Sequence, residues 1–376
     1  MPSRLVVVKV GTGSLATTEG KLDEEEMRRL VEQIADAIKR GEKIVLVTSG
    51  AVAAGIAELG IPPKPNDIVF RQASAAAGQA VLMDKYRAFF KEHGLKIAQI
   101  LLTSEDLSDR TSYLHTCNVL EMLLKLNVVP IINENDVTSV EELQPIGKGY
   151  KANFSDNDML SVLVANAVRA DLVIILSDVD GIYTTDPRRS SAKILRTVDM
   201  ITEEFKNSLT GKSRLGRGGI QSKVKAAEIA TRCGIPVVVA NGRRENVIGD
   251  ILAGGEVGTY FKPQGQMSAV KRWIAYGSST KGQIFVNEGA KEAILEGASL
   301  LPVGVTGVLG HFDAGDVVSL VDQNNLEFAR GDSNYNSGEL SLIKGFKISE
   351  IRKKLGISRP KDVIEHRNIH LVEGME

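Results

Sequence analysis

Apolar runs alternate with amphipathic segments along residues 1–260, and this alternation predicts the main elements of the chain. Runs rich in valine, isoleucine and leucine predict buried parallel strands, and apolar residues three or four positions apart predict helices. The predicted strands cover residues 5–10, 43–47, 96–102, 128–132, 171–176 and 236–240. The predicted helices cover residues 23–40, 51–59, 67–92, 111–126, 156–169 and 220–233. This order predicts an α/β fold, a mostly parallel sheet sandwiched by helices, with ligands beyond the carboxyl ends of the strands.

The pattern changes near residues 258–271, where glycine, proline and glutamine indicate a linker. Short strands with glycine or asparagine turns follow, including a hairpin predicted to turn at Asn324–Asn325. We therefore expect two domains, an α/β domain over 1–260 and a small β-barrel-like domain over 268–376.

Composition excludes strong electrostatic attraction to nucleic acid or membrane, because 46 Lys and Arg residues balance 47 Asp and Glu residues. The apolar stretches are too short to span a bilayer, and the first residues lack the apolar core of a signal peptide. Cys117 and Cys233 lie far apart without a CxxC or histidine cluster, which is typical of buried thiols in a reducing compartment. We expect a cytoplasmic protein that makes no membrane contact.

Lys9 places a charge inside the first apolar strand, directly before Gly11 and Gly13. A buried ammonium without a partner is unstable, so we expect phosphate groups to pair with Lys9 and a carboxylate to hold it otherwise. A dinucleotide fingerprint is disfavoured because the next long helix begins near Asp23 rather than on the glycines. A plain glycine turn with a lysine reaching solvent remains the alternative.

Other glycine-rich loops also precede predicted helices, at Gly50 and in GRGGIQSK over 216–223. Backbone N–H groups at such sites bind anionic oxygens, and Lys223 would add a second cation, as phosphoryl transfer requires. A solvated helix-surface lysine is the alternative for Lys223. The GKS at 211–213 is not a P-loop, because position 206 is Lys206 where glycine is needed.

Acidic residues cluster in three more loops, as Asp136, as Asp156 with Asp158, and as Asp178 with Asp180. Turns and helix caps alone would explain each of these clusters. However, every cluster follows a predicted strand or begins a predicted helix. Direct metal ligation and Mg²⁺ held mainly by ATP phosphates and water both remain open. The histidines stand at positions 93, 115, 311, 366 and 370, outside these loops, so no Ser-His-Asp arrangement is predicted.

Seven motifs occur in an order that resembles the glutamate-phosphorylating members of the amino acid kinase family. They are KVGTGSL, TSGAVAAG, QASAAAGQ, INENDV, FSDNDMLS, SDVDGIYTTDPR and GRGGIQSK. The later segments KRWIAYGSSTKGQIFVNEGA and LLPVGVTGVLGHFDAGDVVSLVD resemble a PUA domain. The resemblance implies ATP-dependent phosphorylation of the L-glutamate side chain to γ-glutamyl phosphate, the first step of proline biosynthesis. It also implies Mg²⁺ bound mainly through ATP, feedback inhibition by proline, and assembly as a homo-oligomer.

The resemblance also implies residue roles. Lys9 and Lys223 would stabilise the transferred phosphoryl group, and Asp158 would orient both lysines. Glutamate would be held by Ser49, Gly50, Asp136 and Asn157. The nucleotide would contact Lys9, Gly11, Ser177, Asp178, Arg217, Gly218, Gly219, Ile220, Gln221, Ser222 and Lys223. Family members usually carry a threonine at position 217, a serine at position 13 and a glycine at position 155, whereas this chain has Arg217, Gly13 and Ser155.

Two alternatives remain open at the level of sequence. One is a related kinase acting on N-acetylglutamate, aspartate or carbamate, which glycine placement does not separate. The other is an RNA-binding or RNA-modifying protein that uses the PUA-like domain. From residue 262 onward the chain has 14 Lys and Arg and 14 Asp and Glu residues, and the basic stretch 344–361 is typical of a solvated helix face. Nucleic acid is therefore not expected as the main partner.

Overall fold

A computed structural model describes residues 3–17, 21–62, 64, 67–139, 157–184, 192–209, 219–265, 267–355 and 362–372. The chain divides into two compact units. The first comprises Met1–Asp106 and Leu114–Gln266, and the second comprises Leu107–Tyr113 and Met267–Glu376. Within the described residues, no helix is both long enough and apolar enough to cross a membrane.

The first unit contains an eight-stranded sheet. Its strands are β1 (Leu5–Val10), β2 (Lys43–Val47), β3 (Lys96–Leu102), β4 (Val128–Glu134), β5 (Leu172–Ser177), β6 (Thr197–Val198), β7 (Val237–Asn241) and β8 (Thr259–Phe261). Their order is β3-β4-β2-β1-β5-β7-β8-β6, and all pairs are parallel except β7 with β8. The chain builds to one side of β1 through β4 and then to the other side with β5. This reversal makes the carboxyl end of β1 the natural ligand site of the sheet.

Ten helices of the described residues belong to this part of the chain. They are α1 (Thr12–Leu15), α2 (Glu24–Lys39), α3 (Ala51–Leu59), α4 (Ile68–Glu92), α5 (Ser104–Ser108), α6 (Arg110–Lys125), α7 (Asn157–Val168), α8 (Glu203–Ser208), α9 (Ile220–Arg232) and α10 (Val247–Leu252). Helix α2 begins where Asp23 accepts a hydrogen bond from the Glu26 N–H, and it stops before Gly41 at φ +97°. The six predicted strands and six predicted helices are confirmed, with ends that differ by at most two residues.

Side-chain alternation along β1 explains how the strand carries a lysine. Val6, Val8 and Val10 belong to one buried apolar cluster together with residues of α2 and α4. Successive side chains of a strand point to opposite faces, so Lys9 faces the other side of the sheet. Helix α7 packs against β1 there.

The second unit has its own five-stranded sheet, in the order β10-β9-β11-β12-β13. The strands are β9 (Gly282–Val286), β10 (Val305–Gly310), β11 (Val317–Val321), β12 (Glu327–Asp332) and β13 (Ile369–Leu371). The helices are α11 (Ala269–Arg272), which continues into a π-helical turn (Trp273–Gly277), α12 (Glu288–Leu295), α13 (Ser337–Ile343) and α14 (Ile348–Leu355). The hairpin of β11 and β12 is confirmed: Asn325 has φ +60°, and Asp322 accepts hydrogen bonds from the N–H groups of Asn324 and Leu326.

Two features of this architecture differ from the sequence prediction. The predicted linker 258–271 is wrong at its start, because Thr259–Phe261 forms β8 and pairs with both β7 and β6. This strand of three residues is too short to show a strand periodicity in the sequence. In addition, Leu107–Tyr113 belongs to the second unit, where the Trp273 Nε1–H donates to the Leu107 carbonyl over 3.1 Å. The domain limits of 260 and 268 remain a prediction about independent folding.

Candidate active site

Asp158 bridges two lysines at the carboxyl edge of the sheet. One carboxylate oxygen, Oδ1, lies 2.5 Å from Lys9 Nζ, and the other, Oδ2, lies 3.1 Å from Lys223 Nζ. Lys9 is 3 % exposed, Lys223 is 6 % exposed and Asp158 is fully buried. Lys9 comes from β1, Asp158 from the second residue of α7, and Lys223 from the first turn of α9. The structure therefore brings the three predicted catalytic residues into one contact group.

The electrostatics of this group keep its carboxylate ionised. Burial acts to raise the pKa of the Asp158 carboxyl, but the adjacent ammonium groups of Lys9 and Lys223 outweigh it and hold the pKa below its usual range. The ionised carboxylate therefore holds both ammonium groups at one edge of the sheet. Paired cations in such a place are the groups that phosphoryl transfer uses to stabilise charge.

Helix α9 supplies further groups to the same edge. Its N-cap is Gly219, with Ile220, Gln221 and Ser222 in the first turn. The Ser222 hydroxyl donates to Asp158 Oδ2 over 3.4 Å, and a helix N-terminus presents backbone N–H groups to anionic oxygens. Arg217 and Gly218, also predicted to contact the nucleotide, lie outside the described residues.

On the side of β5, Gly11, Ser177 and Asp178 lie at the same edge of the sheet as Lys9. A Cβ atom on Gly11 would lie 3.3 Å from Lys9 Nζ, so glycine leaves the lysine room at the end of β1. Ser177 ends β5, directly beside β1, and its hydroxyl donates to Asp178 Oδ1 over 3.0 Å. Asp178 is exposed, and its carboxyl carbon lies 3.7 Å from the Cβ position of Gly13. These residues, which are predicted to bind the nucleotide, therefore lie at the same carboxyl edge of the sheet as Lys9 and Lys223.

The loop after β7 contributes residues that sequence reasoning missed. Asn241 Nδ2 donates to Asp180 Oδ1 over 2.8 Å, which fixes the loop that follows β5. Arg243 donates to the Ala16 carbonyl over 3.3 Å and thereby reaches the turn that follows Gly13. The sequence feature that could have indicated these residues is the NGRR turn directly after the predicted strand 236–240. Its position is equivalent to that of the other strand-end loops.

The residues predicted to hold glutamate lie on the side of β2 and β4. Asn157 Nδ2 donates to Ser49 Oγ over 2.9 Å and to Asn133 Oδ1 over 3.3 Å. Asp136 is 5 % exposed in the loop after β4, and Gly50 has φ +104°, a conformation that favours glycine. Asn133 was not predicted as a substrate-binding residue, although it lies inside the NEND motif. Since Asn157 precedes Asp158, the two residue groups meet at the start of α7.

Known proteins resemble this chain over nearly its whole length. The sequence profile of the amino acid kinase family matches residues 4–241, and that of the PUA domain matches residues 282–355. Glutamate 5-kinase of Thermoanaerobacter sp. (strain X514) is 44 % identical over 372 residues, which cover 98 % of each chain. Glutamate 5-kinase of Moorella thermoacetica is 44 % identical over 376 residues, 99 % of this chain and 97 % of the relative.

A solved structure shows the same fold for the first unit. Carbamate kinase from Giardia lamblia bound to AMP-PNP matches with a TM-score of 0.50 and 17 % identity, and it covers 70 % of this chain and 99 % of its own. At this identity the likeness concerns the fold alone. With the family profile matched over residues 4–241 and relatives 44 % identical over nearly the full length, this chain belongs to the amino acid kinase family and carries a C-terminal PUA domain.

Proposed function

We propose that this protein transfers the γ-phosphoryl group of ATP to the side-chain carboxylate of L-glutamate. The observation that carries the proposal is the buried bridge of Asp158 to Lys9 and Lys223, which adjoins the Ser49 and Asn157 pair. Relatives that are 40–44 % identical over nearly the whole chain bear the name glutamate 5-kinase, which supports the same acceptor.

In the reaction, one oxygen of the glutamate γ-carboxylate attacks the γ-phosphorus of ATP. The new bond joins that oxygen to phosphorus, and the bond from phosphorus to the β,γ-bridging oxygen breaks, with its electron pair leaving on ADP. The attacking carboxylate is already ionised at neutral pH, so no general base is needed. Lys9 and Lys223 would stabilise the charge on the moving phosphoryl oxygens and on the leaving group.

The adjacent positions of Asn157 and Asp158 suit this transfer. Asn157, with Ser49 and Asp136, would hold glutamate, while Asp158 keeps both lysines at the phosphoryl group. Two neighbouring residues of one rigid helix would thus set the distance between acceptor and donor. Such positioning supplies a large share of the barrier reduction in phosphoryl transfer.

The nucleotide and its metal would lie on the side of β5 and α9. Gly11, Ser177 and the start of α9 suit the phosphates, and exposed Asp178 suits a magnesium ion that keeps most of its ligands from ATP and water. Mg²⁺ would neutralise phosphate charge when bound. Feedback inhibition by proline, a homo-oligomeric state and a cytoplasmic location complete the proposal.

Trapping of the acyl phosphate tests the acceptor directly. ATP, Mg²⁺, hydroxylamine and one acceptor at a time are incubated with the enzyme, and the hydroxamate and ADP are both measured. L-glutamate is expected to give hydroxamate in step with ADP, while N-acetylglutamate, aspartate and carbamate give only background. ADP release that depends on one of those other acceptors, with none on glutamate, would replace the proposed substrate.

A further inference from the structure

Two hydroxyl groups meet in the apolar core directly behind the Ser49–Gly50 loop. The phenolic oxygen of Tyr86 lies 2.8 Å from Thr48 Oγ1, and both side chains are fully buried. Tyr86 comes from α4 and belongs to the buried apolar cluster that also contains Phe90. Burial raises the pKa of the Tyr86 phenol although the bond to Thr48 opposes it, so the group is a neutral hydroxyl at physiological pH.

Stability alone does not account for this pair. A buried hydroxyl loses its hydrogen bonds to water, and one internal hydrogen bond little more than compensates for that loss. Phenylalanine at position 86 together with valine at position 48 would fill nearly the same volume without any desolvated polar group. Replacing both partners of a buried hydrogen bond with apolar groups of the same shape is close to neutral.

The pair is hydrogen-bonded to the backbone of the Ser49–Gly50 loop. Thr48 Oγ1 also donates to the Ser49 carbonyl, over 3.3 Å, and a threonine hydroxyl has only one proton. Tyr86 is therefore the donor to Thr48, and the two bonds form a relay that ends on the Ser49 carbonyl. Because a peptide group is planar, holding that carbonyl also fixes the direction of the Gly50 N–H on its opposite side.

We propose that Tyr86 and Thr48 are positioning residues that hold the Ser49–Gly50 peptide in its glutamate-binding orientation. The proposal rests on the proposed function, since Ser49 and Gly50 are placed at the acceptor. The Ser49 hydroxyl contacts Asn157, so a rotated peptide would also displace that contact. Loss of either buried hydroxyl should weaken glutamate binding and leave ATP binding unchanged.

The test compares Tyr86→Phe, Thr48→Val and the double variant with Thr48→Ser, which keeps the hydroxyl. Thr231→Val is the matched control, because Thr231 is 1 % exposed and its hydroxyl donates to the Glu228 carbonyl within α9. For each protein, Tm, kcat, KM for glutamate and KM for ATP are measured. Each single variant should raise KM for glutamate about fivefold or more and lower Tm, because each removes a hydrogen bond of the relay.

The double variant separates positioning from structure. It leaves neither hydroxyl orphaned, although the Ser49 carbonyl still lacks its donor. Tm should therefore recover part of the way from the Thr48→Val value toward wild type, while KM for glutamate stays raised. Thr48→Ser should keep a near-normal KM, and Thr231→Val should lower Tm without changing either KM. Recovery of KM together with Tm in the double variant, or an unchanged KM in both single variants, would overturn the proposal.

An error in the proposed acceptor would give a different set of results from an error in the proposed positioning role. If hydroxamate trapping identifies another acceptor, KM for that acceptor is measured across the same variants. A raised KM for the true acceptor then supports the positioning role although glutamate is not the substrate, and an unchanged KM overturns it.

Discussion

Lys9 and Asp158 form an ion pair withdrawn from solvent, with Nζ 2.5 Å from Oδ1 and side chains 4 % and 0 % exposed. The pair exists because Lys9 points to the face of β1 opposite the apolar cluster of Val6 and Val8. Removing one partner of a buried pair destabilises a protein far more than breaking an exposed one. The charges of this group therefore contribute to the stability of the fold and, as we propose, to phosphoryl transfer.

Substitution of Lys9 by methionine removes the charge while nearly keeping the volume. We expect kcat to fall by about a hundredfold or more, because one of the two cations proposed to stabilise the phosphoryl group is lost. Lys9→Arg keeps the charge and should retain more activity. Steady-state kinetics well below the Tm of each variant measure both. An unchanged kcat in Lys9→Met would leave this residue a structural role only.

Acidification should reveal the ionised state of Asp158 in the folded protein. The pKa of this carboxyl lies below its unfolded value, so its charge stabilises the fold above about pH 4, and this contribution is lost as pH falls. The free energy of unfolding of wild type and Asp158→Asn is compared by urea titration at pH 7 and pH 3. Their difference should shrink by about 1 kcal/mol at pH 3. A difference that stays constant or grows would contradict the lowered pKa.

An ion pair joins the helices on either side of residues 210–218. Lys206 of α8 lies 3.0 Å from Glu228 of α9, and Glu228 also pairs with Arg232 over 2.8 Å. We expect Glu228→Gln to raise KM for ATP severalfold and leave KM for glutamate unchanged, because in our proposal the N-terminus of α9 binds the phosphates. The control is Lys262→Met, which breaks a pair with Asp199 whose side chains are 53 % and 76 % exposed. Equal KM values for ATP in wild type and Glu228→Gln would refute this role.

The second unit should be dispensable for chemistry but not for stability. A chain that ends at Gln266 loses the hydrogen bond from Trp273 to the Leu107 carbonyl and the ring contact of Trp273 with Tyr113. We expect it to remain folded, with a lower Tm and measurable hydroxamate formation from glutamate. Trp273→Phe in the full chain, which removes the N–H donor and part of the ring contact, should lower Tm and leave kcat unchanged. An insoluble or inactive shortened chain would show that the first unit does not function alone.

Particular residues show how much of the fold and of the candidate site local sequence patterns predict. The strands and their polar ends were predictable because valine runs and strand-end glycines are local signals, and a charge inside β1 demanded a partner. The burial of Lys223 was not predictable from local pattern, because a lysine on a helix is usually solvated and only the packing of α7 against α9 buries it. The Tyr86 contact with Thr48 likewise joins positions 38 residues apart and leaves no periodic signal.

The double-mutant cycle of Asp158→Asn and Lys223→Met tests most directly whether the buried group acts as one unit. Asparagine keeps the shape of the side chain, but it removes the charge that holds both lysines. We expect each single variant to lose about a hundredfold or more in kcat, and the double variant to lose little beyond the worse single one. Strictly additive losses, or a near-normal kcat in Asp158→Asn, would contradict the bridging role and leave Asp158 with a structural role only.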